Sequence, residues 1–296
     1  MLPKNLPIVD GIYEFKFPLH NLAFFKVGGF CDVLFTPADE NDLVNFLSRK
    51  PADLPITILG NMSNVLISDA GIRGCVLRLS QLRDIRFFDE YVEVGAGATL
   101  PAFINRCMQE SVSCLEKLFC IPGCIGGAVS MNAGIPGFEV SEVLLSVSAV
   151  SIADGKKQIF SREDLHVSYR NGGIPPGVVV TSAKLRTVAK SCDEIYAEIR
   201  DISERRKMTQ PIGMPTCGST FKNPPGRKAW QLIKEAGCDS LSVGGARVSE
   251  KHCNFLINSG NATAADFVEL INKIKARVLE KTGILLQEEI RRMGFD

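Results

Sequence analysis

Apolar side chains recur at helical spacing in several parts of the chain. In one segment, four of them share a face: Leu100, Phe103, Ile104 and Cys107. Three helices are predicted over TPADENDLVNFLS from Thr36, with a proline in its first turn, TLPAFINRCMQE from Thr99, and CDEIYAEIRDISERRK from Cys192. Two more are predicted nearer the C-terminus: one around Trp230 that ends at Gly237, and a longer one capped by Thr263 and Asp266 and stopped by Gly283.

Short runs rich in β-branched residues predict strands between these helices. They are PITILG, NVLIS, GCVLRLS, RFFDEYVEV, VLLSVSAVS with QIF after an Asp154-Gly155 hairpin turn, and GVVVTSAKLRTV. A last strand, ILLQEEIRR, alternates so that four residues share a face: Leu285, Gln287, Glu289 and Arg291. The chain is therefore predicted to be of the α+β class.

Two glycine-rich segments interrupt this pattern. IPGCIGGAVSMNAGIPG has too many glycines for a helix or a strand, and it is predicted to be a loop. In YVEVGAGATL a strand, Gly95, Gly97 and a helix imitate the start of a dinucleotide-binding unit. Leu100 takes the place of the third glycine, which such a unit needs for close packing of helix on strand. A Rossmann site is therefore not expected here.

Composition narrows the function classes. At 296 residues the chain is long enough for two or three domains that share a ligand, and 45% hydrophobic with 23% charged residues is typical of a soluble globular protein. A net charge of +1 leaves no electrostatic footprint for nucleic acid or an anionic membrane. No export signal is apparent, so the ten cysteines are expected to be reduced. Cys114, Cys120 and Cys124 match no common metal spacing, and no metal is predicted.

Three loops are candidates for chemistry. In LGNMSNVLI, Gly60 permits a turn in which Asn61, Ser63 and Asn64 offer N–H groups to a phosphate, although a plain Asn-rich turn has the same composition. In the second loop three glycines allow a ligand to approach the main chain, with Asn132 as a polar contact: Gly123, Gly126 and Gly127. Tight packing is the alternative explanation for those glycines.

The third loop, CGSTFKNP, places Ser219 between Gly218 and Lys222. No histidine stands near it in sequence to make a hydrolase-like triad. Serine here is either a turn residue or a proton donor, and Lys222 with Asn223 would suit a phosphorylated or carboxylate-bearing substrate.

These loops, in this order, are followed by GGARVSEKHCNFLIN and a terminal LLQEEIRRMG. Together they resemble the UDP-N-acetylenolpyruvoylglucosamine reductase (MurB) family from about Phe24 to Gly294. FKVGG at 25–29 is similar to the amino-terminal motif of the family, and NMSN and IPGCIGGAVSMNAG to its two FAD loops. The short IPG at 135–137 resembles the second type of the family.

The resemblance implies an FAD-binding fold of the p-cresol methylhydroxylase type in two subdomains, 1–72 and 73–208, and a smaller α+β substrate domain, 209–296. It also implies a set of residues that hold FAD without a covalent bond. They are Gly60, Asn61, Met62, Ser63, Asn64, Val65, Pro122, Gly123, Gly126, Gly127, Ala128 and Asn132.

By the same resemblance, three residues match the catalytic groups of the family: Arg170 in VSYRNGG, Ser219 in CGSTFKNP and Glu289 in QEEIR. Substrate contacts are expected from Tyr169, Lys222, Asn223 and Asn254, with Arg205 and Gln210 as further candidates. Solvated surface is the alternative explanation for the charged and amide side chains of this set, Lys222, Asn223, Asn254, Arg205 and Gln210. Departures from the family pattern include Phe24 in place of threonine, YRNG without the later serine, and LLQEE in place of LEPE. None of them removes a catalytic group.

The implied activity is the reduction of UDP-N-acetylglucosamine enolpyruvate to UDP-N-acetylmuramate, with FAD as cofactor and NADPH as co-substrate. This is a cytoplasmic step of bacterial peptidoglycan synthesis, which serves cell-wall biogenesis, cell shape and cell division, and the enzyme is expected to be a monomer. The alternatives are a flavin oxidase of the same wider superfamily, which GSTFKNP and EEIR disfavour, and a non-catalytic nucleotide-binding scaffold. Such a scaffold would not need Arg170, Ser219 and Glu289 together.

Overall fold

The computed structural model describes residues 5–295, so residues 1–4 and 296, which include the outer ends of the predicted terminal domains, lie outside the described part. The helices are α1 (Glu40–Arg49), α2 (Leu100–Gln109), α3 (Ile125–Ser130), α4 (Cys192–Thr209), α5 (Ala229–Glu235) and α6 (Ala264–Thr282). Short 3-10 helices cover Leu19–Asn21, Glu116–Leu118 and Val140–Glu142. Across residues 5–295, none of the helices combines the length and apolarity needed to cross a bilayer.

The strands are short, apart from two long ones in the middle of the chain. They are β1 (Ile12–Pro18), β2 (Phe30–Thr36), β3 (Ile56–Ile58), β4 (Val65–Ile67), β5 (Ile72–Leu77), β6 (Ile85–Phe87), β7 (Tyr91–Gly95), β8 (Val112–Ser113), β9 (Gly134–Ile135), β10 (Phe138–Glu139), β11 (Leu144–Ser151), β12 (Lys157–Ser161), β13 (Val178–Arg186), β14 (Val188–Ala189), β15 (Ser242–Val243), β16 (Ala246–Val248), β17 (Leu256–Asn258) and β18 (Arg291–Met293). The predicted α+β class is confirmed.

The chain folds into two compact units. Unit 1 comprises the residues up to Phe15, Asp32–Asn61 and Gly74–Glu204. Unit 2 comprises Lys16–Cys31, Met62–Arg73 and, within the described residues, 205–295. The predicted division into three domains, with boundaries after residues 72 and 208, stays a prediction.

Unit 1 is built around an antiparallel five-stranded sheet with the order β12-β11-β13-β7-β6. The predicted hairpin turn joins β11 to β12, and Gly155 adopts there the positive φ of 72° that favours glycine. Because both neighbours of β7 are antiparallel to it, the rejection of a Rossmann unit at Gly95 and Gly97 is confirmed. The larger part of a four-stranded sheet, β1-β2-β5-β3, also lies in this unit.

The first two helices of unit 1 begin at capping side chains. Asp39 accepts a hydrogen bond from the N–H of Asp42 at the start of α1, and Thr99 accepts one from Ala102 at the start of α2. The buried face of α2 carries the four predicted residues, which join the core of the unit. One detail was wrong: Pro37 precedes the N-cap of α1 and is not in its first turn.

The glycine-rich segment is not entirely a loop. Ile125–Ser130 forms helix α3, which lies against β7 and β13, and this corrects the prediction of an irregular segment. A side chain at Gly126 would place its Cβ only 2.9 Å from Cβ of Ala96. Glycine therefore serves here to bring a helix close to neighbouring backbone, and the packing outweighs the poor helix propensity of this residue.

The Glu116 carboxylate is buried in unit 1. Ser113 Oγ donates to Oε1 at 2.5 Å, the N–H of Cys114 donates to Oε2 at 2.8 Å, and Lys190 Nζ lies 3.3 Å from Oε1. Burial by itself would raise the pKa of this carboxyl. The hydrogen bonds and the positive charge of Lys190 outweigh burial, and they hold the pKa of Glu116 below its usual range.

We expect Glu116→Gln to lower the urea midpoint at neutral pH, because the amide loses the charge that these partners stabilise. The stabilisation by wild-type Glu116 is complete above the pKa of the unfolded carboxyl, about 4.3, and is lost as the pH falls through the lower folded pKa. Urea unfolding from neutral to acidic pH should therefore show the two midpoints converging. Glu163→Gln, at an exposed site, is the control. A difference that persists in acid would contradict the assignment.

Unit 2 is organised by α6, which packs on α5 and on the antiparallel sheet β15-β16-β17. The predicted capping box is confirmed: the N–H of Asp266 donates to Thr263 Oγ1 at 3.1 Å, and the N–H of Thr263 donates to Asp266 Oδ2 at 2.9 Å. Asp69 adds a second acceptor by binding the N–H groups of Ala264 and Ala265. Gly283 ends the helix with φ 71°, as predicted.

The predicted last strand is shorter than its sequence pattern. Only Arg291–Met293 is regular, and this strand, β18, pairs in parallel with β4. Residues 284–290 are irregular except for an isolated bridge between Glu288 and Phe221. Leu286 and Ile290 bury their side chains in the core of unit 2, whereas Leu285 is exposed. The length of β18 matches that of its partner, since β4 is also three residues long.

Candidate active site

Two predicted FAD loops meet in unit 1. A Cβ added to Gly60 would lie 2.8 Å from Sγ of Cys124 and 3.9 Å from Cα of Gly127. The first loop and the start of α3 therefore lie in van der Waals contact, and a side chain at Gly60 would have to displace the thiol of Cys124. Asn61 follows Gly60 on the exposed side of this approach.

At the start of α3, some main-chain N–H groups are hydrogen-bonded within the protein, and open space lies beside Gly127. The N–H groups of Ile125 and Gly126 donate to Ala98 and Ala96, so they hold the helix in place. A Cβ on Gly127 would meet only Sγ of Cys124, at 3.6 Å, so space remains beside this residue. Of the other predicted FAD contacts here, Ala128 is buried and Pro122 and Gly123 are more accessible. The neutral, small-residue lining fits a diphosphate bound by main-chain N–H groups.

The rest of the first loop belongs to unit 2. Met62 is buried with φ 51°, and Ser63 and Asn64 follow it in a turn that leads to Val65 at the start of β4. Nδ2 of Asn64 donates to the carbonyl of Glu289 at 3.1 Å, and the N–H of Arg291 donates to the carbonyl of Asn64 at 3.0 Å. This part of the loop therefore fixes the backbone on both sides of Ile290, a link that the sequence did not indicate.

Arg170 lies at the tip of a tight turn in unit 1. Ser168 and Asn171 exchange two backbone hydrogen bonds of 2.9 Å around Tyr169 and Arg170, and Arg170 has a φ of 58°. Its Nη2 donates to the carbonyl of Gly134 at 3.2 Å, and its Cζ lies 4.7 Å from the centre of the Tyr169 ring. The turn presents Tyr169 at 42% exposure with the guanidinium beside it. Such a planar cation suits a carboxylate.

Ser219 and Glu289 are brought onto adjoining segments of unit 2. Ser219 forms an isolated antiparallel bridge with Phe255, and the N–H of Glu289 donates to the carbonyl of Thr220 at 2.8 Å. Both side chains are half-buried. The structure thus places a hydroxyl and a carboxyl, distant in sequence, on neighbouring stretches of backbone. Arg170 belongs to the other unit, unit 1.

The predicted substrate contacts in unit 2 have visible partners within the protein. The N–H of Lys222 donates to Gln287, and the exposed Asn223 accepts a hydrogen bond from the N–H of Ala229 at the start of α5. Asn254 is 4% exposed: its Oδ1 accepts from the N–H of Phe221 at 3.0 Å, and its Nδ2 donates to the carbonyl of Phe221 at 2.8 Å. Asn254 therefore holds the segment that carries Ser219. Its substrate contact stays a prediction.

We expect Asn254→Ala to lower the free energy of unfolding by about 1–3 kcal/mol, because it leaves both main-chain groups of the buried Phe221 without a partner. Urea unfolding measures this loss. Asn272→Ala, at an exposed position of α6, is the matched control and should change stability little. Equal midpoints for the two variants would show that the Asn254 side chain does not hold this segment.

Among residues 5–295 no group of three or more histidine, cysteine or carboxylate side chains is placed to hold a metal ion. Two family patterns match the sequence: an FAD binding domain over residues 31–161, and the C-terminal domain of UDP-N-acetylenolpyruvoylglucosamine reductase over residues 210–293. An FAD-binding fold with that C-terminal domain defines an FAD-dependent oxidoreductase.

Relatives over the whole chain identify the family. A UDP-N-acetylenolpyruvoylglucosamine reductase of Rhodopseudomonas palustris (strain HaA2) is 45% identical over 295 residues, which cover 99% of this chain and 95% of the relative. One of Rickettsia bellii (strain RML369-C) is 40% identical over 98% of this chain and 96% of its own length. The solved structure of the reductase (MurB) from Thermus caldophilus has a TM-score of 0.83 at 31% identity and covers 97% of this chain and 100% of that one. The chain belongs to the UDP-N-acetylenolpyruvoylglucosamine reductase family.

Proposed function

We propose that this protein reduces UDP-N-acetylenolpyruvoylglucosamine to UDP-N-acetylmuramate, with FAD bound non-covalently and NADPH as co-substrate. The main support is membership of the family over nearly the whole chain. The structure adds that Ser219 and Glu289, which match catalytic groups of the family, lie on adjoining segments. A non-catalytic scaffold would have no use for that arrangement.

The residues that would hold FAD are those of the two loops predicted above except Asn132, whose buried amide is hydrogen-bonded within the protein. They would act through main-chain N–H groups at Gly60 and Gly127 and short polar side chains at Asn61 and Ser63. When bound, FAD carries hydride equivalents from NADPH to the terminal alkene carbon of the enolpyruvyl group. Residues of the protein would then stabilise the negative charge that develops on the substrate and donate the proton that completes the reduction.

We propose the following roles. As hydride adds to the alkene, negative charge moves onto the substrate carboxyl group, and the planar guanidinium of Arg170 stabilises it. Glu289 orients that carboxyl group. Ser219 gives its hydroxyl proton to the ether-bearing carbon, which completes the addition of one hydride and one proton across the double bond. Tyr169, Lys222, Asn223 and Asn254 contribute to substrate binding.

The substrate is a small nucleotide sugar, and the reaction belongs to bacterial peptidoglycan precursor synthesis. We propose that the enzyme acts in the cytoplasm as a monomer and that it binds neither nucleic acid nor membrane. Its even balance of 34 basic and 33 acidic residues supports the proposal about nucleic acid and membrane.

Anaerobic half-reactions test the proposed function directly. Purified protein should be yellow, NADPH should bleach it, and enolpyruvyl-UDP-N-acetylglucosamine should restore the oxidised flavin spectrum with stoichiometric formation of UDP-N-acetylmuramate. A colourless preparation that takes up no FAD would favour the scaffold. Reduced enzyme that is reoxidised by oxygen and left unchanged by the enolpyruvyl substrate would favour a flavin oxidase.

A further inference from the structure

Asn132 occupies a position in unit 1 that the predicted FAD contact does not explain. It is 1% exposed and adopts a φ of 43°, which is uncommon for a residue with a side chain. Its Nδ2 donates to Oε2 of Glu139 at 2.7 Å and to the carbonyl of Ser168 at 3.3 Å, and its Oδ1 accepts from the N–H of Ser141 at 3.0 Å. The donors and the acceptor of this amide are thus all satisfied, by residues of two separate segments, 139–141 and the turn at Ser168.

Glu139, its partner, is itself held firmly. The N–H of Glu139 donates a hydrogen bond to Oε1 of Glu142 at 2.8 Å, at the start of the short 3-10 helix Val140–Glu142. In the short hairpin of β9 and β10, Glu139 pairs with Gly134. Asn132 is therefore hydrogen-bonded to a residue whose backbone is held by the β9–β10 hairpin and by Glu142.

This network closes around Arg170. Ser168, whose carbonyl Asn132 holds, begins the turn with Arg170 at its tip, and Arg170 itself donates to the carbonyl of Gly134 opposite Glu139. One attachment fixes the backbone of the turn and the other fixes the guanidinium. Arg170 has a left-handed backbone at φ 58°, so its turn is held in a conformation that costs energy outside such a framework.

We propose that Asn132 and Glu139 are positioning residues that hold the Arg170 turn in its working geometry. The proposal rests on the proposed function, since it assigns Arg170 to the stabilisation of charge on the substrate. Asn132 acts here through Arg170, and a displacement of a guanidinium by about 1 Å is enough to reduce a rate by about 100-fold.

Asn132→Asp is the main test, because it removes both amide donors and sets a carboxylate against the carboxylate of Glu139. We expect reoxidation of the reduced enzyme by the enolpyruvyl substrate to slow by about 10- to 100-fold. Flavin reduction by NADPH and FAD affinity should stay within about threefold of the wild type, as a role limited to Arg170 requires. Asn105→Asp, at an exposed position of α2, is the matched control.

A double-mutant cycle separates positioning from general damage. If Asn132 acts only through Arg170, the double variant N132D/R170M should reoxidise no more slowly than R170M alone. Additive losses, or loss of FAD affinity in N132D, would overturn the proposal. Glu139→Gln keeps an acceptor for Asn132 and should retain a near-wild-type rate, whereas Glu139→Ala should lose it, and this pair serves if N132D fails to fold.

The wild type and the control variant separate failure of the proposed function from failure of the positioning role. If wild type and Asn105→Asp show no reoxidation by the enolpyruvyl substrate, the proposed function fails. If they do and Asn132→Asp reoxidises at their rate, the proposed function stands and the positioning role fails.

Discussion

Replacing Ser219 with alanine is expected to slow reoxidation of the reduced enzyme by its enolpyruvyl substrate by about 100- to 10,000-fold, the usual contribution of a positioned acid. Reduction of the flavin by NADPH needs no proton at the ether-bearing carbon, so its rate should stay close to that of the wild type. A serine hydroxyl is a weak acid, and it becomes an adequate donor only beside a strongly basic carbon. The effect should therefore appear in one half-reaction alone, measured by anaerobic stopped-flow absorbance.

The neighbouring residue provides a control for this substitution. Thr220 lies in the same segment, fully buried, and its hydroxyl has no hydrogen-bond partner among the described residues. Thr220→Val removes this hydroxyl at nearly constant shape, and both half-reactions should keep their rates. If Ser219→Ala slows flavin reduction as much as reoxidation, the proton-donor role is wrong.

Signals contained in a few consecutive residues predicted the fold well. The capping box at Thr263 and Asp266, the stop at Gly283 and the hairpin turn at Gly155 each depend on local hydrogen bonds or on a local φ, and all three are confirmed. The four buried residues of α2 follow from helical periodicity in the same way.

Local signals failed where distant segments decide the backbone. Helix α3 has only six residues, too few for a periodic pattern, and Gly126 reflects a close approach to Ala96 that sequence does not display. The alternation in the last segment suggested a long strand, but β18 extends only as far as its three-residue partner β4. The grouping of 16–31 and 62–73 with the C-terminal residues is equally non-local.

The candidate site divides in the same manner. Its residue types were predictable from short motifs, since Ser219, Arg170 and the glycines of the loops lie within recognisable stretches of sequence. The contacts that hold them were not. The amide of Asn64 binds the carbonyl of Glu289 across 225 positions of sequence, and that of Asn254 binds Phe221 across 33. A single sequence contains no signal for hydrogen bonds between residues so far apart in the chain.

Substitutions of Arg170 are expected to give the second large loss of activity. Arg170→Met removes the cation, and reoxidation by the enolpyruvyl substrate should slow by about 100- to 1,000-fold, the usual effect of losing one group that stabilises developing charge. Arg170→Lys keeps the charge but loses the planar fork, so its rate should fall between those of the wild type and the methionine variant. Methionine and lysine at position 170 would both adopt the same left-handed backbone conformation, so the conformational energy of φ 58° does not distinguish the two variants.

The relative changes in the maximal reoxidation rate and in the half-saturating substrate concentration decide whether Arg170 acts on the transition state. If its charge acts mainly as negative charge develops on the substrate carboxyl group, the maximal reoxidation rate should fall more than the substrate concentration at half-saturation rises. Arg200→Met, which removes an exposed guanidinium from α4 in the same unit, is the matched control and should change neither. A methionine variant of Arg170 that keeps the wild-type maximal rate and only binds substrate more weakly would reduce this residue to a substrate-binding contact. Loss of an interaction made equally in the ground state and the transition state lowers affinity without changing the barrier of the bound complex.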